Sequence, residues 1–289
     1  METEGYFADA ETDFKEARFV IFGIPYDKTA SFRRGAKEAP SSIREASWNF
    51  ETYNMKTGLD FRDIPVHDFG DISTSNNDSP VEMINKVKDL SNKVVVEGKT
   101  PVGIGGEHTI TIGITSTLPS DTMVISFDAH LDFRDKYQGE PYSHACVMRR
   151  LADHITADNI VVIGVRSAEK RELLEAKREG LRYYDAFTIF NKGLNWVLEE
   201  LMEEITGRKI YLTIDIDVVD PAYAPGTGTP EPFGLKPIEV LMFIERIAPW
   251  IIGFDLVEVC PPFDNGETSI LAARLIRSTI EMIWLKRKD

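Results

Sequence analysis

Three short segments of the sequence combine acidic residues with histidine or with each other, just after an apolar run. Residues 128–132 read Asp-Ala-His-Leu-Asp, residues 215–217 read Asp-Ile-Asp, and residues 105–108 read Gly-Gly-Glu-His. Side chains alternate between the two faces of an extended chain, so the polar groups of each of the first two segments should face the same way. In the third segment, the paired glycines allow a sharp turn that brings His108 over the strand ends.

Carboxylates held this close together repel one another, and a bound cation relieves the repulsion. A lone histidine or an Asp-x-Asp turn has a common structural explanation, in a core or in a turn. Three such segments at the ends of predicted parallel strands instead indicate a metal site, because open α/β sheets bind ligands there. The candidate ligands are two imidazoles and four carboxylates: His108, Asp128, His130, Asp132, Asp215 and Asp217.

The number and type of these donors restrict the metal. Six donors exceed the need of one cation and favour a pair of ions with bridging carboxylates. Oxygen-dominated ligation with some imidazole favours Mn(2+) over zinc, which prefers fewer and softer ligands. Metal availability also decides which ion is bound, so donor softness alone leaves the identity open.

The elements that must position these residues alternate along the chain. Most of the apolar runs are rich in β-branched residues and nearly continuous in hydrophobicity, which is typical of parallel strands buried on both faces. The predicted strands are 18–24, 64–69, 100–104, 122–127, 159–165, 209–214 and 251–257. One helix is predicted to begin at the capping motif formed by Ser79 and Glu82 and to end before Gly98. Four more helices are predicted at 168–179, 194–205, 237–248 and 268–286. This alternation predicts an α/β fold with a mainly parallel sheet and helices on both faces.

The composition is that of a globular protein. The chain has 289 residues, of which 43% are hydrophobic, and its formal net charge is −14. No linker, repeat or low-complexity tract divides the sequence, so we expect a single domain over residues 1–289. The negative balance argues against nucleic acid or an anionic membrane as a partner and suits a small cationic substrate.

The sequence also predicts the compartment. No apolar run approaches the roughly 20 residues of a membrane helix, and the acidic N-terminal segment lacks the basic start and apolar core of a signal peptide. The only cysteines are Cys146 and Cys260, and neither lies in a Cys-x-x-Cys motif. Such sparse cysteine usage is typical of a reduced, cytoplasmic protein.

The metal motifs GGEH, DAHLD and DIDVVDP, in this order, resemble those of the ureohydrolases, the arginase–agmatinase family. Nearly the whole chain shares the resemblance, with further matching segments at 23–27, 35–44, 68–71, 224–232 and 257–259. The resemblance implies a three-layer α/β/α sandwich around a central, mainly parallel sheet. It also implies two Mn(2+) ions per subunit and a homo-oligomer, either a trimer or a hexamer.

The resemblance distributes the ligands between the two ions. It implies that one ion is held by His108, Asp128, Asp132 and Asp215, and the other by Asp128, His130, Asp215 and Asp217. Asp128 and Asp215 would bridge the pair. Two such ions activate a water for attack on the central carbon of a guanidinium.

The resemblance also assigns three catalytic residues. Asp132 would be the first acceptor of the proton that must reach the departing amine. His144 matches a histidine that is not a ligand and would carry that proton at the substrate. Glu258 would bind and orient the guanidinium, whose N–H groups fit the two oxygens of a carboxylate.

Two residues depart from the family pattern without removing a ligand. Glu107 stands where arginases usually carry Asp, and a change there is expected to alter the support of His108. Phe233 occupies a position that is often Gly, in a loop near the mouth of the site.

The substrate is predicted to be agmatine, which an agmatinase converts to putrescine and urea, a step of polyamine biosynthesis. Segments 142–150 and 224–232 resemble agmatinases, and the loop 133–143 lacks the small polar residues with which arginases bind the α-carboxylate. Asp135 and Glu140 are the candidates to meet the far ammonium of this dication.

Other functions stay open at this point. The alternatives are hydrolysis of another guanidino compound (N1-aminopropylagmatine, arginine or guanidinobutyrate), of a formimino group or of an acetyl-lysine amide, and a metal-binding paralogue without catalysis. Deacetylases typically use one zinc with fewer carboxylates, and a purely structural ion needs neither His144 nor Glu258.

Overall fold

The computed structural model describes residues 5–75 and 77–288. Within them, eight strands form one sheet in which every neighbouring pair runs parallel. These strands are β1 (Phe19–Ile24), β4 (Val66–Asp71), β5 (Thr100–Gly105), β6 (Met123–Phe127), β7 (Ile160–Val165), β8 (Arg182–Asp185), β9 (Ile210–Asp215) and β10 (Ile251–Val257). A separate antiparallel pair consists of β2 (Tyr53–Asn54) and β3 (Leu59–Asp60).

Helices cover both faces of the sheet. One face packs against α1 (Ala39–Ser47), α6 (Ala186–Lys192), α7 (Leu194–Ile205), α8 (Pro237–Ile247) and α9 (Glu267–Lys288). The other face packs against α2 (Pro80–Val96), α3 (Ile110–Thr115), α4 (Val147–Ile155) and α5 (Lys170–Glu179). The predicted three-layer α/β/α sandwich with a parallel sheet is therefore confirmed.

Strand β1 illustrates why the sheet lies between two apolar layers. All six of its residues are buried. Phe19 and Ile21 pack on one face, whereas Val20 and Phe22 pack on the other. A strand whose side chains are apolar on both faces is stable only with a helical layer on each.

The strand order brings the motif segments together. The order is β4-β1-β5-β10-β9-β6-β7-β8, so β5, β10, β9 and β6 are neighbours in the middle of the sheet. The ends of these four strands and the segments that follow them carry the candidate ligands and Glu258. Parallel strands end at the same edge, and the candidate residues therefore share that edge.

All seven predicted strands are present, but the sequence did not indicate β8, the short pair β2 and β3, or four of the helices. Strand β8 has the polar sequence Arg-Tyr-Tyr-Asp and lies at the sheet edge, where continuous hydrophobicity is not required. Helix α3 is short and rich in β-branched residues, which resembles a strand pattern. Helix α1 lies in a segment for which no helix was predicted, and α4 and α6 were also missed.

The predicted start of α2 is confirmed in detail. Ser79 Oγ accepts the backbone N–H of Glu82, and the Glu82 carboxylate accepts the backbone N–H of Ser79, which is a reciprocal capping box. Within the described residues, no helix combines the length and the apolar character needed to cross a bilayer.

Gly106 is required by a close approach between two backbone segments. The carbonyl of Gly106 accepts the backbone N–H of Glu258, and its own N–H donates to Ile24. A Cβ at this position would lie 1.9 Å from the carbonyl oxygen of Tyr26. The turn after β5 thus depends on the missing side chain and not on a left-handed backbone.

Replacing Gly106 by Ala should therefore destabilise the fold. We expect the free energy of unfolding to fall by about 3 kcal/mol, because backbone atoms must move to admit the methyl group. Gly5→Ala is the matched control, since a Cβ there meets no atom within 4 Å. Urea denaturation measures both, and an equal, small effect of the two substitutions would contradict the steric explanation.

Candidate metal centre and active site

The first group of donors surrounds the imidazole of His108, in the turn after β5. Its Nδ1 atom lies 3.2 Å from a carboxylate oxygen of Asp128, 3.1 Å from one of Asp132 and 3.5 Å from one of Asp215. Donor atoms of His108, Asp128 and Asp215 all lie within 4.8 Å of one another, as the ligands of a single metal ion do.

The second group lies beside the first and shares one carboxylate with it. Donor atoms of Asp128, His130 and Asp217 again lie within 4.8 Å of one another. The Nδ1 atom of His130 is 3.0 Å from Asp217 and 3.6 Å from Asp128. The structure thus brings all six predicted ligands together, in two adjacent groups that meet at Asp128.

Three of the carboxylates are oriented by the backbone. Asp128 Oδ1 accepts the N–H of His130 at 2.6 Å, Asp215 Oδ1 accepts the N–H of Asp217 at 2.9 Å, and Asp217 Oδ1 accepts the N–H of Ala129 at 3.0 Å. In each case the other oxygen, Oδ2, faces a histidine of the cluster. One oxygen of each of these three carboxylates therefore fixes the side chain, and the second oxygen is left for a cation.

Two observations show that the cluster fits divalent cations. His108 Nδ1 and Asp128 Oδ2 are buried and have no hydrogen-bond partner within the described part of the chain, which is costly unless a ligand satisfies them. The pKa of Asp132 is raised to about 7 by burial and by the charge of Asp128. Burial and the charges of Asp217 and Asp128 also raise the pKa of Asp215. The cluster therefore holds more negative charge than its own side chains balance.

A hydrogen-bonded chain through Thr213 to Asp255 orients the ring of His108. Its Nε2 lies 3.0 Å from Thr213 Oγ1, and that hydroxyl donates to Asp255 Oδ1 at 2.6 Å. Asp255 is fully buried and also accepts the hydroxyls of Thr111 and Tyr211. Because Thr213 gives its proton to Asp255, Nε2 of His108 carries the ring proton and Nδ1 keeps its lone pair for a metal.

The expectation that Glu107 supports His108 is wrong for the imidazole. The neighbour of its Nε2 is Thr213, and the carboxylate of Glu107 instead accepts hydrogen bonds from Thr29 and Thr109. Sequence reasoning missed Asp255. A charged residue inside the apolar run of β10 was the signal that could have revealed it.

Glu258 follows β10 and reaches the same cluster. Its Oε1 accepts the backbone N–H of His108 at 2.7 Å, and burial together with the charge of Glu107 raises its pKa to about 8. Its φ is 64°, and that of Asp132 is 47°, so both adopt the left-handed conformation that non-glycine residues rarely adopt. Such residues cost about 1–3 kcal/mol each and are typical of functional sites.

The cleft beside the cluster has a volume of about 180 Å³ and is lined mainly by polar residues. His144 lines it without belonging to either donor group, and burial lowers the pKa of His144 to about 4. Carboxylates outside the ligand set that line the cleft are Glu172, Glu231 and Glu258. Arg134 also lines it, with its Nε 3.4 Å from a carboxylate oxygen of Glu172.

The two acidic residues predicted to meet the far end of the substrate do not line this cleft. Asp135 is exposed and pairs with Arg150 at 3.2 Å, whereas Glu140 accepts the backbone N–H of Tyr142. Glu231 was missed, although it belongs to the segment 224–232 that the sequence singled out. Its Oε1 lies 3.7 Å from His130 Nε2.

The backbone at Phe233 explains why this position is often Gly in the family. Its φ is 68°, in the left-handed region that favours glycine. Here the side chain is exposed, and its ring lies 6.4 Å from that of Phe187.

Comparison with known proteins gives the family. The arginase family profile matches residues 17–281. An agmatinase of Bacillus anthracis is 35% identical and covers 97% of this chain and 96% of its own length. A guanidinobutyrase of Pseudomonas aeruginosa is also 35% identical, with coverages of 92% and 86%. The crystal structure of the agmatine ureohydrolase of Thermoplasma volcanium matches with a TM-score of 0.94 at 39% identity, over 100% of this chain and 97% of that one.

The chain therefore belongs to the arginase family. It is a ureohydrolase, a hydrolase that acts on a guanidino carbon–nitrogen bond. The family depends on a binuclear metal centre, and the two donor groups are the candidate for it in this chain.

The shared position of Asp128 leads to a prediction about metal loading. Asp128→Asn should impair binding of both ions, because it removes a charge common to the two groups, whereas His108→Ala should weaken mainly one. Elemental analysis of purified variants measures the stoichiometry. Asp135→Asn, the same change at an exposed carboxylate, is the control and should load as the parent does. Full loading of Asp128→Asn would refute the bridging assignment.

Proposed function

We propose that this ureohydrolase cleaves agmatine to putrescine and urea, using two Mn(2+) ions per subunit. The observation that carries the proposal is the charge of the cleft. Its lining carboxylates are numerous, and among the described lining residues the one guanidinium, that of Arg134, is already beside Glu172. A dication such as agmatine is attracted to this cleft, whereas the carboxylate of arginine would be buried without a free partner.

The two donor groups support the proposed ion pair. His108, Asp128, Asp132 and Asp215 would hold one ion, and Asp128, His130, Asp215 and Asp217 the other, with Asp128 and Asp215 bridging. Four carboxylates and two imidazoles suit Mn(2+). When bound, such a pair supplies Lewis acidity and lowers the pKa of a water between the ions.

Three side chains of the protein carry out substrate binding and proton transfer. Glu258 accepts N–H groups of the guanidinium and holds its carbon in place for attack by water. Asp132 is the first acceptor of the proton that the attacking water still carries when it bonds to the guanidinium carbon, and this proton passes on to the departing nitrogen. His144, which is neutral at pH 7 because its pKa is lowered, accepts a proton and delivers it to the nitrogen that departs as the amine.

Guanidinobutyrate is the second candidate substrate. It has a carboxylate at the far end, and Arg134 is the residue of the cleft that could pair with it if the contact with Glu172 were exchanged. The similarity to a guanidinobutyrase supports this candidate.

Urea release by manganese-loaded protein tests the proposal. We expect the highest kcat/KM for agmatine among agmatine, arginine, guanidinobutyrate and N1-aminopropylagmatine. Glu258→Gln should lower kcat/KM for agmatine by about 100-fold or more, because it loses a charged partner of the guanidinium, while metal content stays intact. Glu140→Gln, the same change outside the cleft, is the control.

Two outcomes would change the assignment. A kcat/KM for arginine at or above that for agmatine would make the protein an arginase. Preference for guanidinobutyrate, lost in Arg134→Gln, would establish the second candidate.

We also propose that the chain acts as a single cytoplasmic domain that assembles into a homo-oligomer, either a trimer or a hexamer. Phe187, Phe190 and Phe233 are 58%, 89% and 73% exposed around an apolar cavity of about 480 Å³. Lys236 and Glu239 line the same cavity, so its surface carries both charges and can match a second copy of itself.

Light scattering after gel filtration tests the assembly. Phe190→Ser should reduce the mass of the particle, because it removes an apolar contact between subunits. Met55→Ser changes a residue that is 90% exposed elsewhere and should leave the mass unchanged. A monomeric parent protein would refute the proposal.

A further inference from the structure

One hydroxyl group, that of Thr29, joins three segments of the chain beside the cleft. Its Oγ1 lies 2.8 Å from Glu107 Oε1 and 3.0 Å from His144 Nδ1. The same oxygen accepts the backbone N–H of His144 at 3.0 Å. The loop after β1, the turn after β5 and the segment before α4 therefore meet at a single atom.

The hydrogen bonds around Glu107 indicate how the protons are arranged. Its Oε2 accepts the backbone N–H of Thr29 at 2.7 Å, and its Oε1 receives the hydroxyls of Thr29 and Thr109, each at 2.8 Å. Glu107 is fully buried. In each of these three hydrogen bonds a carboxyl oxygen of Glu107 is the acceptor, so the hydroxyl proton of Thr29 points to Glu107.

The hydroxyl of Thr29 has only one proton. Because that proton is directed to Glu107, Oγ1 offers only lone pairs to His144. One lone pair accepts the backbone N–H, and the other accepts a proton from the ring. Nδ1 of His144 must then carry the hydrogen, and Nε2 keeps its lone pair. Ser143 Oγ, at 3.3 Å, is the next polar neighbour of Nδ1.

We propose that Thr29 and Glu107 are positioning residues that hold His144 in the Nδ1–H tautomer, with Nε2 as the proton acceptor on the cleft. No hydrogen bond from another described residue occupies Nε2. The ring of Tyr137 packs edge-on against the imidazole at 5.8 Å and restricts its rotation. The expected effect of this tautomer on turnover rests on the proposed role of His144 in urea release. The assignment of the tautomer rests only on the hydrogen bonds.

The length of the acidic side chain is part of this arrangement. Glu107 reaches Thr29 across 78 residues of sequence and touches its N–H and its hydroxyl at once. An Asp at this position is one methylene shorter and cannot keep both contacts without moving the backbone. The departure from the arginase pattern at Glu107 thus acts on His144 and not on the ring of His108.

The first test measures the tautomer without using substrate. The protein is labelled with 13C and 15N in its histidines and loaded with Zn(II), a diamagnetic ion that in general binds imidazole and carboxylate donors. His144→Asn identifies the His144 signals by difference. We expect the chemical shifts of the Nδ1–H tautomer in the parent and in Thr29→Ser, and a mixture of tautomers in Thr29→Val, which has the same shape without the hydroxyl. An Nε2–H tautomer in the parent, or no change in Thr29→Val, would overturn the proposal.

The second test measures turnover of the manganese-loaded enzyme. Thr29→Val should lower kcat about tenfold, the smaller end of the range for partners that orient a functional group, with KM and metal content unchanged. Thr29→Ser should restore kcat. A rise in KM or a loss of metal that Thr29→Ser does not restore would indicate a purely structural role and refute the positioning role.

Glu107→Asp tests the contribution of Glu107 separately from that of Thr29. It also provides a second variant in case Thr29→Val does not fold. It should reproduce the tautomer mixture of Thr29→Val although the charge is kept. Parent-like spectra in Glu107→Asp would remove Glu107 from the proposal. If no guanidino compound is hydrolysed, the proposed function fails, and the tautomer measurement still decides the hydrogen-bond assignment.

Discussion

The crowding of negative charge at one buried point is the constraint on which the rest of this structure depends. Asp128, Asp132, Asp215 and Asp217 are all buried, and each would cost several kcal/mol if it were left without a partner. In three of these carboxylates, one oxygen accepts a hydrogen bond from a backbone N–H group. What remains uncompensated faces inward, and that remaining charge is what attracts cations.

Arg166 shows how a positive charge can lie near such a cluster without neutralising it. Its guanidinium donates to the carbonyl oxygens of five residues and, within the described part of the chain, forms no ion pair with the carboxylate of a candidate ligand. The five are Gly164, Asp217, Val218, Glu231 and Pro232. Burial lowers its pKa. The side chain therefore ties the turn after β9 to the loop at the cleft mouth, and the ligand oxygens stay available.

The sequence predicted the parts of the structure that follow from local chemistry. Apolar runs predicted seven of the strands, and acidic residues with histidine at the strand ends predicted the candidate ligands, because both patterns lie within short stretches of sequence. Thr29 and His144 are 115 residues apart, and nothing local in the sequence marks a threonine as the partner of a distant imidazole. Arg166 was missed for the same reason, whereas the charge of Asp255 within the apolar run of β10 could have marked it. Strand β8 was missed because an edge strand needs no apolar pattern.

Strand β10 has a position in the sheet that differs from its position in the chain. It is the last of the described strands in the sequence, yet it lies between β5 and β9 and separates the strand that leads to His108 from the strand that ends at Asp215. Until β10 has left the ribosome and entered the gap, the two halves of the sheet have no neighbour in the middle. A sheet without β10 would therefore leave His108 apart from Asp128 and Asp215, and the candidate ligands come together only when β10 joins both halves.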